Sequence, residues 1–156
     1  MKAAHLRWLM NVWPPFLAAG VRVREISSDY RRVRVELRMR WFNRNYVGVH
    51  FGGSLFAMTD PFFMLMYMNN LGRDYVVWDR AGQIEFIRPG RGTVSAQFQL
   101  TENDLDSVRS KAADGRPALI EHKVDIVDQA GELVARVRRT VYVRMKKRAL
   151  ENDLPG

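Results

Sequence analysis

The sequence predicts an α+β domain in which an antiparallel sheet encloses one apolar helix. Several segments alternate apolar and polar residues with period two, as half-buried strands do. The stretch "SLFAMTDPFFMLMYMNNL" (54–71) is apolar nearly all round and therefore needs burial on most sides. The elements run helix, two strands, apolar helix, then about four strands interrupted by a polar helix. In that order the inner face of the sheet and the apolar helix can satisfy each other.

The first element is a short amphipathic helix over about 3–13, with Leu6, Leu9, Met10 and Trp13 on one face, ended by Pro14-Pro15. "VRVREIS" (21–27) and "RRVRVELRMRW" (31–41) form a hairpin around Ser28-Asp29. In the second strand Val33, Val35, Leu37, Met39 and Trp41 share the buried face, and Arg32, Arg34, Glu36, Arg38 and Arg40 the solvated one. The apolar helix, about 54–71, closes at Gly72 as a C-cap. "YVVWD", "AGQIEFIRPG" and "GTVSAQFQL" are extended. "TENDLDSVRSKAAD" (101–114) opens on a capping Thr, carries acids in its first turn and reads as a polar helical insertion. "ALIEHKVDIVD" and "ELVARVRRTVYVRMKK" make a long closing hairpin, and 148–156 is a frayed tail.

All 156 residues fit a single domain with a sizeable core. Without cysteine the chain has no disulfide, thiolate metal site or cysteine nucleophile, and a reducing cytoplasm suits it. The three histidines (5, 50 and 122) lack the spacing of a metal-binding pair, so no metal site is expected. No membrane span is expected either. The run from Leu55 to Leu71 comes nearest, and Asp60, Pro61 and Asn69-Asn70 interrupt it. The excess of 25 Lys+Arg over 17 Asp+Glu gives a net charge of +8, which admits nucleic acid, acidic lipid or an anionic small molecule as partner. The aromatic residues of the arginine-rich strand fall on its buried side, away from the arginines, which weighs against a base-stacking surface.

One segment carries chemistry. Asn45, Gly48, Phe51-Gly52-Gly53, Ser54 and Asp60 are followed farther on by "AGQIEFIRPGRGTVSA" (81–96). This pair of motifs, in this order, resembles the hotdog-fold thioesterases, in particular the small acyl-CoA thioesterases of the phenylacetate-pathway type, over roughly residues 20–145. Those proteins show Asn, a Gly three residues on, then His-Gly-Gly, and an Asp seven residues after the second Gly. Here Phe51 stands where their histidine is, and His50 lies one place earlier. In an extended segment that shift turns the side chain to the opposite side. The Phe-Gly-Gly-Ser form is similar to a thioesterase-like branch of the superfamily.

The resemblance implies a hotdog sheet around a central helix and acyl-CoA as substrate, with no cofactor beyond the CoA of the substrate itself. It also implies a homodimer, or a dimer of dimers, with the site across the interface and the acid supplied by the other subunit. Pairing the long strand edges across a two-fold axis agrees with that expectation. On this reading Asp60 is the general base or nucleophile, and Asn45 orients water or substrate. The N–H groups of Gly52 and Gly53 receive the oxyanion. His50, Phe51, Ser54, Arg88 and Arg91 contact substrate, the arginines at the CoA phosphates.

Read without the resemblance, the same residues allow plainer roles. Gly52-Gly53 is a loop, and Asp60 is the N-cap of a helix whose first residue is Pro61. Asn45 shapes a loop, His50 is a loop or interface histidine, and Arg88 and Arg91 are solvated. The Met- and Phe-rich 62–68 segment is either an acyl pocket or core. A carboxyl held in an apolar wall has a raised pKa, as suits a general base. Three functions follow from the sequence: an acyl-CoA thioesterase, a non-catalytic acyl or lipid-like ligand binder on the same fold, and nucleic-acid binding through the arginine strands.

Overall fold

The structure is a computed structural model and describes residues 1–146; the tail at 148–156 lies outside the described residues. Helix α1 (Ala3–Val12) and helix α2 (Pro14–Ala19) precede strands β1 (Val21–Ile26) and β2 (Arg32–Arg38). Helices α3 (Gly52–Ala57) and α4 (Phe62–Leu71) follow, then β3 (Tyr75–Phe86), β4 (Thr93–Gln99), α5 (Glu102–Ala112), β5 (Ala118–Val127) and β6 (Leu133–Met145). The strands form one six-stranded sheet in the order β1-β2-β4-β5-β6-β3, with every neighbouring pair antiparallel.

Strand parity is as the alternation requires. Val33, Val35 and Leu37 are buried in register with Phe98, Ala96 and Val94 of β4, while Arg32, Arg34 and Arg38 point outward. Inside the sheet, α4 buries Phe62, Phe63, Met66 and Tyr67, and the rings of Phe62 and Phe63 lie 5.0 and 5.2 Å from that of Phe98. Burying an aromatic or Met side chain of this kind is worth about 1.5–3 kcal/mol each. The sheet and α4 therefore stabilise each other, and this is the α+β arrangement the pattern predicts.

Several local expectations are corrected. The single helix expected over 54–71 is two helices. The N–H of Thr59 donates to Phe56 O and that of Asp60 to Ala57 O, tight three-residue bonds that finish α3. Pro61, without an N–H, cannot continue the ladder, and α4 restarts with Leu65 N–H on Pro61 O. Asp60 is consequently not a helix cap: Pro61 occupies the N-cap position of α4, with no side-chain cap bond, after a cis Asp60-Pro61 peptide.

At the N-terminus, Pro14-Pro15 not only end α1 but open α2, where a missing N–H costs nothing. Leu9 and Trp13 are exposed, and the buried face of α1 is Ala3, Leu6 and Met10. Strand β2 stops at Arg38, so Trp41 is 83% exposed instead of buried. The buried Asn43 turns the chain there: its Oδ1 accepts from Arg40 N–H, and its Nδ2 donates to Arg38 O and Ala19 O. Finally, the two extended pieces at 75–86 are one strand, with a bulge between Asp79 and Ala81.

The two outer edges of the sheet differ. On β1, Asn11 of α1 acts as a substitute strand partner, its side chain both donating to Val23 O and accepting from Val23 N–H at 2.9 Å. The other outer strand, β3, pairs with β6 on one side only and carries the exposed Trp78 and Phe86.

Candidate active site

The Gly52-Gly53 turn opens α3 between two cavities. Ser54 and Leu55 N–H both donate to Phe51 O, so the N–H groups of Gly52 and Gly53 precede the first closed turn and have no partner among the described residues. Both positions exclude a larger residue as the neighbours stand. A Cβ on Gly52 would lie 2.8 Å from the Phe86 ring, and one on Gly53 would lie 2.4 Å from the Phe51 ring. One cavity, of about 400 Å³, is lined by Asn45, His50, Gly52, Leu55, Phe86 and Arg88 among others. The second, of about 420 Å³, is lined by Phe42, Asn43, Phe51, Gly53, Ser54 and Ala57 among others. The turn thus brings Asn45, His50, Gly52 and Arg88 to one side and Phe51, Gly53 and Ser54 to the other.

His50 is 3% exposed and Phe51 57%, so the two neighbours face opposite ways. The His50 Nε2 lies 3.0 Å from Gly92 O; a carbonyl only accepts, so Nε2 carries the proton and Nδ1 is a bare lone pair. That Nδ1 is buried without a hydrogen-bond partner. Burial holds the imidazole below the ordinary histidine pKa, outweighing the opposing bond to Gly92, and favours the neutral ring. Asn45 shapes its loop: Oδ1 accepts from Val49 N–H, and its backbone pairs with Val49 and Gly48. Arg88 reaches Asp128 at 2.9 Å and Glu132 at 3.5 Å, and Arg91 donates to Gly48 O at 3.1 Å. Each arginine thus already has a partner within the chain.

Asp60 lines neither cavity. It belongs to a polar cluster centred on Arg139, a buried cation on β6 with a side chain 5% exposed. The Arg139 Nη1 donates to Asp60 Oδ2 at 2.9 Å, and Nη2 donates to Thr59 Oγ1 at 3.0 Å and Phe56 O at 3.1 Å. The guanidinium carbon stands 4.2 Å above the Phe56 ring, close enough for a cation–π contact. Gly82 of β3, paired with Arg139 in the ladder, leaves room for both groups; a Cβ there would meet Phe56 at 2.7 Å and Arg139 Nη1 at 3.1 Å. The apolar wall expected around Asp60 is absent: its side chain is 51% exposed and ion-paired.

The acid that burial does perturb is Asp79, which sequence reasoning missed. Desolvation raises its pKa to about 6, the like charge of Asp60 adds to the rise, and Arg139 partly offsets it. Its Oδ1 is buried without a partner. A signal was present in the sequence, since Tyr75, Val77 and Asp79 share strand parity and the first two pack against the core.

A folded-state pKa above the unfolded value means that folded Asp79 binds its proton more tightly. This group costs stability above about pH 6, and the cost disappears as pH falls toward the ordinary aspartate value of 3.8. Asp79→Asn should therefore raise the melting temperature at pH 8 and leave it unchanged near pH 4. A melting temperature that drops at pH 8 would show that the charged carboxylate is required.

Several solved structures have folds similar to that of this chain. A Pseudomonas aeruginosa protein of unknown function, described as a "Probable Thioesterase", superposes with a TM-score of 0.80 at 17% identity, over 94% of this chain and 97% of that one. A thioesterase from Haemophilus influenzae gives 0.65 at 15% identity over 93% and 92%. The E. coli PaaI protein from the phenylacetic acid degradation operon gives 0.60 at 18% identity over 92% and 91%. At these identities the likeness shows the fold, and the fold is the hotdog: an antiparallel sheet around a central helical segment. No curated protein matches the chain. The model of one protein family matches residues 2–143, and by that match the chain belongs to the family described as "Domain of unknown function (DUF4442)".

Proposed function

We propose that this protein is an acyl-CoA thioesterase-like hydrolase whose site is completed across a homodimer. The observation that carries the reading is the Gly52-Gly53 turn, with unpaired N–H groups between two cavities of roughly acyl-chain size. Thioester hydrolysis needs donors for the developing oxyanion, a group that attacks or activates water, and space for the acyl chain. The turn and cavities supply the first and third. Asp60 is the candidate for the second: its side chain is half exposed, Arg139 holds its Oδ2, and its Oδ1 is without a partner among the described residues. Through Arg139 and its ladder partner Gly82, Asp60 borders the one-sided strand β3, where a second copy would bring another Gly52-Gly53 turn. Asn45 orients water or substrate on this reading, and His50, Phe51, Ser54, Arg88 and Arg91 contact the acyl-CoA. The reaction requires no metal or redox cofactor, and the absence of cysteine suits a cytoplasmic location.

Release of free thiol from a panel of acyl-CoA thioesters tests the activity; silence across short, long and aromatic acyl groups would exclude it. Light scattering should give at least twice the 18.1 kDa chain mass, and a monomer would remove the cross-subunit site.

One observation favours the non-catalytic acyl binder as a second reading. Asp60 already neutralises a buried arginine, which is a sufficient structural reason for a carboxylate at that position. Retention of acyl-CoA without thiol release would distinguish the binder from the hydrolase.

A further inference from the structure

The N-terminal third of the chain carries an exposed feature that the proposed hydrolase does not use. Six arginines (Arg7, Arg22, Arg24, Arg34, Arg38 and Arg40) and Asn11 line a groove of about 470 Å³ between α1 and the outer face of β1 and β2. The carboxylate of Glu36 answers two of them, Arg24 at 3.3 Å and Arg38 at 3.6 Å, and Arg7 donates to the backbone carbonyl of Arg24. Arg22, Arg34 and Arg40 have no acidic partner among the described residues, so the groove carries a clear excess of positive charge.

Beside this groove lies an apolar rim. Trp8 and Val12, one turn apart on α1, are 60% and 45% exposed, and Trp13 at the N-cap of α2 and Leu17 within α2 are 47% and 45% exposed. The chain leaves the groove at Arg40 directly into Trp41 and Phe42, which are also exposed. Asn43 ties that loop to the end of α2 through Ala19 O. Unpaired cations and protruding tryptophans therefore occupy one end of the molecule.

We propose that this end of the molecule docks peripherally on an anionic lipid surface, the groove arginines meeting lipid phosphates and the rim residues entering the headgroup boundary. Tryptophan suits that boundary because its ring is apolar at one end and hydrogen-bonding at the other. A second copy of this chain is a poorer occupant, since a two-fold contact here would set arginine groove against arginine groove. Nucleic acid is also poorer. Val12 and Leu17 offer nothing to stack on a base, whereas both can enter an acyl layer. No helix among the described residues is long and apolar enough to cross a membrane.

Co-sedimentation of the full chain with phosphatidylcholine vesicles, and with vesicles of phosphatidylcholine and phosphatidylglycerol in equal parts, tests the proposal. The wild-type protein should pellet with the anionic vesicles at low salt and be released at about 0.5 M salt, where surface charges are largely screened. Its tryptophan fluorescence should shift to the blue on binding. Trp8→Ser combined with Trp13→Ser should weaken vesicle binding by at least about tenfold, a loss of about 1.4 kcal/mol. Arg22→Gln combined with Arg34→Gln should flatten the salt dependence. These side chains are outside the core, and melting curves of both variants check that folding survives. Three results would each overturn the proposal: no binding to either vesicle, equal binding to both, or a salt-dependent shift with duplex DNA in place of vesicle binding. A mass on light scattering that falls in the tryptophan variant, without vesicle binding in the wild type, would likewise make the face a contact between copies.

Discussion

Asp60→Asn should reduce thioester turnover by roughly 10²–10⁴-fold, the range typical of a lost positioned acid or base. Asn has the same shape, and its Oδ1 can still accept from Arg139 Nη1, so the substitution removes charge and basicity more than geometry. Stability is the informative second measurement. In the wild type, Asp60 and Asp79 both act on the single guanidinium of Arg139, and their mutual repulsion contributes to the raised pKa of Asp79. Without the charge of Asp60, Asp79 should ionise at lower pH and take over as counter-ion, keeping the melting temperature close to that of the wild type. A carboxyl titration followed by NMR, with Asp79 moving down from about 6 in the variant, would check this compensation. Turnover equal to the wild type would end the catalytic role of Asp60 and leave it as the counter-ion of Arg139. His50→Ala should cost much less turnover, because that ring is buried and bonded to Gly92 O. Its complete inactivation would transfer the role to the bare His50 Nδ1.

Arg139→Met should destabilise the fold at pH 7 by about 3 kcal/mol, the low end for loss of one partner from a buried ion pair. The low end applies because Asp60 is half exposed and can hydrate, whereas Thr59 Oγ1 and Phe56 O lose a buried donor. The loss should shrink below pH 6. Arg139 is the group that lowers the pKa of Asp79, so without it Asp79 retains its proton to higher pH and the variant pays less as the solution is acidified. Denaturant unfolding at pH 7 and pH 5 measures both effects. A change within about 0.5 kcal/mol at both pH values, the scale of an ordinary surface substitution, would show that the cluster contributes nothing to stability.

The two experiments treat the site as one electrostatic unit whose parts come from distant stretches of chain. Asp60 follows α3, Asp79 precedes the bulge of β3, and Arg139 lies in β6. Their proximity depends on the β3–β6 register, in which Gly82 faces Arg139 and leaves space for its guanidinium.

Much of the fold was legible because its determinants are local. Period-two alternation marked β1 and β2, and the closing hairpin is β5 and β6. Thr101 and Asp104 form the reciprocal capping box that opens α5, where a capping Thr and first-turn acids were expected. Gly72 ends α4 by donating its N–H to Met68 O. The apolarity of 62–71 required burial, and a sheet was the available cover. The site was legible in part. The family resemblance drew attention to Asn45, Gly52 and Gly53, and the structure places Gly52 and Gly53 at the start of α3 beside two cavities, but their chemical roles rest on the experiments above.

Other features are set by contacts that no short window of sequence contains. Alternation alone would carry β2 through to Trp41; Asn43, by bonding to Ala19 and Arg38, turns the chain earlier and exposes that ring. The acid placed among Phe, Met and Leu in the sequence is half exposed, and the acid whose Oδ1 is buried without a partner lies in an unremarked strand. Composition around a residue reports its neighbours along the chain. Desolvation and charge pairing depend on its neighbours in space, and for Asp60 the decisive neighbour, Arg139, is 79 residues away. The sequence alone marked most of the strands, the apolar segment that needs burial and the capped helix α5. The tertiary structure decided which carboxyl is desolvated and which is ion-paired, because the sheet register brings the buried Arg139 to both.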